Sequence, residues 1–360
     1  MPRVLLLFAD GVGIGDDRVE WNPFLSASLP SLRSLLNGRP VTGTTTPYRG
    51  EDASLVGIDA GLGVDGTPQS GTGQAALLTG ANAALMHGGH FGPWVPSRLQ
   101  RMVREESLLF TATAAGFRTA FANAYPEEIL ELVSQSATAL AGDESPASDG
   151  SLELPAGEAE STTSQSLAAV PADRAARRLR RGPSFLRAGP PLAALGAGLL
   201  TRHTAELERG DAVASEITND GWRTSLGRLQ LPVIDARTAG HNLARITADH
   251  DLTLFAHYAT DYAGHRRDMA AAVTSLERLD AFIGGILEAM LSDTVLFVVS
   301  DHGNIEDVRT GHTRNPALGL VVGEGHAGLA SRLRSLTDIA PAIMDLLSFE
   351  RSVEAAAKGD

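Results

Sequence analysis

Three carboxylates and three imidazoles in this chain are notable for where they fall. Asp10 closely follows the apolar run Val4–Phe8, Asp261 and His265 follow the run Leu252–Tyr258 as Asp-x-x-x-His, and Asp301-His302 come just after Val295–Val299. His312 comes next, within Gly311-His312-Thr313-Arg314-Asn315-Pro316. Taken singly, each acidic residue serves as readily as a turn former or helix cap. Together, mixed carboxylate and imidazole donors make a complement suited to two divalent ions, with Mn2+ and Zn2+ served alike. The chain has no cysteine, so thiolate chemistry and disulfides are excluded and any metal must sit on oxygen and nitrogen donors.

A second segment carries hydroxyls. Pro68-Gln69-Ser70-Gly71-Thr72-Gly73 precedes the helical pattern Ala75 to Leu78 and, alone, reads as a glycine-rich turn before a helix. Its glycines allow close backbone approach, and the start of the helix would aim free N–H groups at a phosphate near Ser70. Gly11-x-Gly13-x-Gly15 lacks the G-x-G-x-x-G spacing of a dinucleotide site, and Asp10 would repel a pyrophosphate, which excludes the NAD reading. Arg266 and Arg267 adjoin His265 and are candidates for gripping an anionic substrate. His87-Gly88-Gly89-His90 has no accompanying carboxylate and reads as a loop.

The elements that must position these groups follow from the apolar pattern. The three runs ending near Asp10, Asp261 and Asp301 are continuous and short, the pattern of parallel strands buried on both faces, and ligands bind beyond the carboxyl ends of such strands. Helices are expected over Ala270 to Met290 and over Asp338 to Leu347, the latter capped by Thr337 or Asp338, so the core is α/β. Residues 137–166 are rich in Ala, Ser, Glu, Gly and Pro without periodicity and read as a low-complexity loop; a basic run, Arg174 to Arg181, follows. Strand-like residues resume at Pro232-Val233-Ile234, before a helical Ala239 to Ala248. The expected organisation is a discontinuous core of residues 1–85 and 232–360, with an inserted cap domain over residues 86–231.

Composition bounds the partners. With 43% apolar and 20% charged residues the chain has the makeup of a soluble globular protein, and a formal charge of -13 argues against a nucleic-acid partner. The first apolar run is too short for a signal sequence, and the stretch near Leu192 to Leu200 is too short to span a bilayer. A cytoplasmic enzyme with no membrane partner is the expectation. Nothing in the sequence sets an oligomeric state.

Ser300-Asp301-His302-Gly303-Asn304, followed by His312-Thr313-x-Asn315-Pro316, resembles the metalloenzyme domain of cofactor-independent phosphoglycerate mutases. Asp10-Gly11-Val12-Gly13-Ile14-Gly15 and Gly264-His265-Arg266-Arg267-Asp268 are similar to segments of phosphopentomutases, a sister group in the alkaline-phosphatase superfamily. The motifs fall in family order and cover roughly the first 85 and last 120 residues, not the insert. The resemblance implies an alkaline-phosphatase-like core with a mostly parallel central sheet flanked by helices. It also implies one metal on Asp261, His265 and His312, and a second on Asp10, Asp301 and His302 with a serine or threonine oxygen.

Aligning on Gly73 makes Ser70 the implied nucleophile, with Thr72 in reserve. The implied reaction is phosphoryl transfer from a small phosphorylated metabolite through a phosphoseryl enzyme, as in a phosphomutase. A phosphatase or phosphodiesterase of the same superfamily, and a metal-binding homologue without turnover, are the alternatives. Two departures from the mutase pattern matter: Gln74 stands where those families carry histidine, and the insert shows no arginine-rich substrate motif.

Overall fold

The computed structural model describes residues 2–128 and 184–358 of the chain. Seven strands form one sheet: β1 (Arg3–Ala9), β2 (Tyr48–Arg49), β3 (Ala53–Ile58), β4 (Thr119–Phe121), β5 (Leu252–His257), β6 (Thr294–Val299) and β7 (Ala317–Val322), in the spatial order β2-β3-β7-β6-β1-β5-β4. Strands β6, β1, β5 and β4 run parallel, whereas β7 pairs antiparallel with both β6 and β3, and β2 pairs antiparallel with β3. Five of the seven strands therefore point the same way, giving a mostly parallel sheet in an α/β fold.

Burial on both faces explains why β1 and β6 read as nearly unbroken apolar runs. Along β1, Val4, Leu6 and Phe8 enter one hydrophobic cluster, while Leu5, Leu7 and Ala9 enter the other. The principal helices are α1 (Ser70–Thr79), α2 (Ser97–Glu106), α3 (Gly189–Gly196), α4 (Ala236–Ala248), α5 (Ala259–Arg266), α6 (Met269–Ala289) and α7 (Ile339–Lys358). Ala75, Leu99, Leu192 and Ile343 bring α1, α2, α3 and α7 to the first cluster. Leu243 and Phe282 bring α4 and α6 to the second, where Phe282 packs on Phe255 of β5 with ring centroids 5.1 Å apart.

Helix starts are set by side chains meeting the unpaired first-turn amides. Asp235 accepts from Thr238 N at 2.7 Å to begin α4, and Asp268 does the same for Ala271 N at 2.7 Å to begin α6. The C-terminal helix differs from expectation. Ser335 and Asp338 form a capping box around a 3-10 turn, Leu336–Asp338, so α7 starts at Ile339 and runs on to Lys358. Pro232-Val233-Ile234 is not a strand; Val233 is exposed, and the segment has no regular structure and leads into the Asp235 cap.

Part of the segment expected as an insert, residues 86–231, contributes to this same sheet and core. Strand β4 pairs with β5, and α2 and α3 pack in the first cluster. The low-complexity stretch 137–166 and the basic run Arg174 to Arg181 lie outside the described residues. Among the described residues no helix is long and apolar enough to cross a membrane.

Candidate metal centre

The strand register gathers the acidic residues. Strand β1 lies between β5 and β6, with Ala9 level with His257 and Phe8 level with Val299. Asp10 and Ser300-Asp301-His302 therefore emerge at the same edge of the sheet. Helix α5 starts two residues beyond β5 and presents Asp261 and His265 four positions apart, hence on one helix face.

Two groups of donor atoms result, Asp261 with His265 and His312, and Asp10 with Asp261 and His302, each with its atoms within 4.8 Å of one another. Asp261 belongs to both. One of its oxygens lies 3.2 Å from His265 Nε2 and the other 3.5 Å from His312 Nε2. His302 Nε2 lies 3.4 Å from Asp10 Oδ1, 3.6 Å from Asp301 Oδ2 and 2.9 Å from Ser70 Oγ. All six donors expected from sequence, together with Ser70, are thus brought to one place.

The residues fit divalent cations on two observations. Asp10 Oδ1 and Asp301 Oδ2 are buried with no hydrogen-bond partner, although each carboxylate's other oxygen has one, from Gln74 and from Gly11 N respectively. Leaving a buried acceptor unsatisfied costs about 1–3 kcal/mol, more when it is charged, so the two bare oxygens aimed at His302 Nε2 call for a cation. His312 Nδ1 also donates to Pro68 O at 3.0 Å, which leaves its Nε2 lone pair for a metal.

Electrostatics among these side chains follow from crowding. Burial, with the charges of Asp301 and Asp261, pushes Asp10 well above the usual carboxylate range. Asp301 is raised by burial as well, even with His302 opposing. Burial acts against Asp261 too, but the hydrogen bonds of His265 and His312 hold it well below its ordinary value. Burial opposes the charge on His302, yet Asp301, Asp10 and Asp261 push it up to about 10.

The local backbone is built for this approach. Gly11 has φ +67°, and a Cβ there would stand 2.5 Å from Asp261 Oδ1. Gly71 is equally constrained, since its Cβ would meet Trp94 O at 2.0 Å. These contacts require glycine; the first lets the turn after β1 press against Asp261, and the second lets α1 press against the 91–94 loop.

The two hydroxyls of the Gln69–Gly73 segment part company. Ser70 points at His302, whereas the Thr72 hydroxyl accepts from Phe91 N at 3.1 Å and is directed at the 91–94 loop. The expected ring of free amides is also partly used, because Thr72 N donates to Phe91 O and Gly73 N to Gln69 O. Of the two arginines, Arg267 lines a cleft of about 330 Å³ with Thr67, Gln69, His265, Gly311 and His312; Arg266 is not among its lining residues. His87 accepts from Arg98 Nε and His90 contacts Val64 O, which keeps both with the neighbouring loop rather than the metal donors.

Sequence reading missed the supporting residues. Asn304 donates to Asp261 Oδ1 at 2.6 Å. Glu306, fully buried, accepts from Gly13 N, Asn304 N, Thr313 Oγ1 and Asn315 Nδ2, tying three loops under the centre. Thr260 Oγ1 donates to Asp10 O at 2.6 Å. An acid two residues after Asn304 was the available signal for Glu306; Gln74 stood out only as a departure from the mutase pattern, and its partners, like that of Thr260, depend on long-range contacts.

Residues 230–351 match the family described as Metalloenzyme superfamily. The chain is 35% identical over 132 residues to the 2,3-bisphosphoglycerate-independent phosphoglycerate mutase of Desulforudis audaxviator, covering 34% of this chain and 26% of that protein. To the protein of the same name from Moorella thermoacetica it is 30% identical over 137 residues, covering 36% and 27%. The chain thus spans about a quarter of the length of these curated relatives. Among solved structures, the PH0037 protein from Pyrococcus horikoshii is similar at TM-score 0.49 with 14% identity, covering 96% of this chain and 97% of that one. The alkaline phosphatase from the Antarctic bacterium TAB5 is similar at TM-score 0.44 with 12% identity, covering 97% and 99%. Residues 230–351, the part of the chain that is similar to the Metalloenzyme superfamily, hold five of the six donors gathered at this centre, namely Asp261, His265, Asp301, His302 and His312.

Proposed function

We propose that this protein is a two-metal phosphoryl-transfer enzyme acting on a small phosphorylated metabolite, with Ser70 as the nucleophile and a phosphoseryl enzyme as the intermediate. One observation carries the reading: Ser70 Oγ, at the first residue of α1, lies 2.9 Å from His302 Nε2, among donors that form two groups sharing Asp261. Asp261, His265 and His312 would hold one ion, and Asp10, Asp301 and His302 with Ser70 the other; bound there, Mn2+ or Zn2+ would neutralise phosphate charge and favour the seryl alkoxide.

The chain's own residues supply the rest. Helix α1 is buried along nearly its whole length, so Ser70 is held in place for in-line attack rather than searching for it. Ser70 Oγ gives up its proton to solvent and forms the Ser70–phosphorus bond as the phosphorus–ester oxygen bond breaks, the departing oxygen keeping the electron pair and taking up a proton from water. Arg267 lines the cleft beside His265 and His312 and is positioned to grip an anionic group of the substrate. The phosphoryl group then passes to a second hydroxyl of the retained product, the phosphomutase course suggested by the relatives' names.

A specific observation supports the hydrolytic alternative. The His265 side chain is 45% exposed, so the cleft gives water access to the same centre. Incubation with Mn2+ or Zn2+ and a panel of phosphate esters separates the two: an isomerised ester is expected for a mutase, and free phosphate without isomer would overturn that course in favour of a phosphatase. A phosphoenzyme present in the parent and absent from Ser70→Ala is expected in either case.

A further inference from the structure

We infer that Gln74 is a positioning residue that holds the Asp10 carboxylate in its ligating rotamer, an inference that rests on the two-metal reading above. Gln74 lies one helical turn beyond Ser70 on α1, so both side chains face the centre from the same helix. Its Nε2 donates to Asp10 Oδ2 at 2.9 Å, and its Oε1 accepts from Gly189 N at 2.8 Å. The two partners settle which way the amide lies. A backbone N–H requires the carbonyl oxygen at one end, and a carboxylate requires the NH2 at the other.

The consequence falls on Asp10. With Oδ2 occupied by the amide, Oδ1 is the oxygen left 3.4 Å from His302 Nε2, buried and without a hydrogen-bond partner. Gln74 is itself almost completely buried, and a Cβ on Gly189 would meet Gln74 Cβ at 2.7 Å, so the amide is wedged between the metal centre and the start of α3. A neutral amide donates at every pH and adds no charge to a centre already crowded with carboxylates. Groups that hold a ligand from behind in this way commonly change metal affinity by about 10–100-fold when replaced.

Full-length protein stripped with chelator and titrated with Mn2+ tests this, with stoichiometry from elemental analysis, affinity from calorimetry and folding from circular dichroism. Gln74→Glu retains an oxygen to accept from Gly189 N but replaces the donor facing Asp10. Parent protein is expected to bind two ions; the variant should bind one at parental affinity and the other about tenfold or more weakly. Gln74→Met, which has no donor, is expected to give the same split and serves should the Glu variant not fold. Two ions at parental affinity in a folded variant would overturn the role of Gln74 while leaving the two-metal reading standing. A parent binding no more than one ion would overturn both.

Discussion

His265 and His312 face each other with their Nε2 atoms 3.1 Å apart, and Asp261 sits against both. Because His312 Nδ1 is turned to the Pro68 carbonyl, two imidazole nitrogens and a carboxylate converge on one point, the arrangement of a three-donor site with room for an outside ligand. His312→Ala should therefore lose one equivalent of Mn2+ and retain the other. Elemental analysis after dialysis checks this, and two retained equivalents would remove His312 from the ligand set.

Ser70 and Thr72, two residues apart, should respond in opposite ways. Ser70→Ala is expected to lower kcat by about a thousandfold or more and to abolish the phosphoenzyme. Thr72→Val, whose lost hydroxyl serves the 91–94 loop, should cost about 1 kcal/mol of stability and leave the phosphoenzyme intact. Acid-quenched labelling with a phosphorylated substrate, paired with thermal unfolding, reads both effects.

Glu306 braces the loops beneath the centre. Its carboxylate serves four donors in loops that carry Gly13, Asn304, Thr313 and Asn315. Replacement by alanine strands several buried donors and is expected to destabilise the protein by about 3 kcal/mol or more. Denaturant unfolding measures it, and a change below about 1 kcal/mol would show that the loops do not depend on this acid.

His257 gives the pH dependence. It is fully buried beneath the centre, its Nδ1 faces Ser215 O at 2.8 Å, and burial lowers its pKa to about 4. The unfolded chain, with an ordinary histidine value near 6.5, binds the proton first, so this contribution to stability is complete above about pH 6.5 and is lost as pH falls toward 4. The loss amounts to about 3 kcal/mol. His257→Asn, which does not titrate, should flatten the stability profile across that window by nearly one proton, and an unchanged slope would show that His257 is not the group responsible.

Much of the fold was legible because the strands are buried on both faces. Val4–Phe8 and Val295–Val299 are apolar throughout, Leu252–Tyr258 is interrupted by Thr253 and His257, and each lies in or overlaps a strand of the structure. Pro232–Ile234 was misread for the same reason: a short apolar run signals burial only when something covers it, and nothing covers Val233. At α7 the local signal was sound but misplaced by a residue, because Asp338 caps the preceding turn.

By itself the sequence determined the chemical inventory: no thiol, three carboxylates and three imidazoles placed after strands, and a serine at the start of a helix. Each of those depends on residue type and local spacing, which a linear chain displays. Only the tertiary structure decided that β1 lies between β5 and β6, that Asp261 belongs to both donor groups, and that Ser70 rather than Thr72 meets His302. It alone joined Gln74 to Asp10 and Gly189 across 64 and 115 residues. Such contacts are set by strand order and register, which bring distant segments together through burial and hydrogen bonding, and no local pattern records which partners will meet.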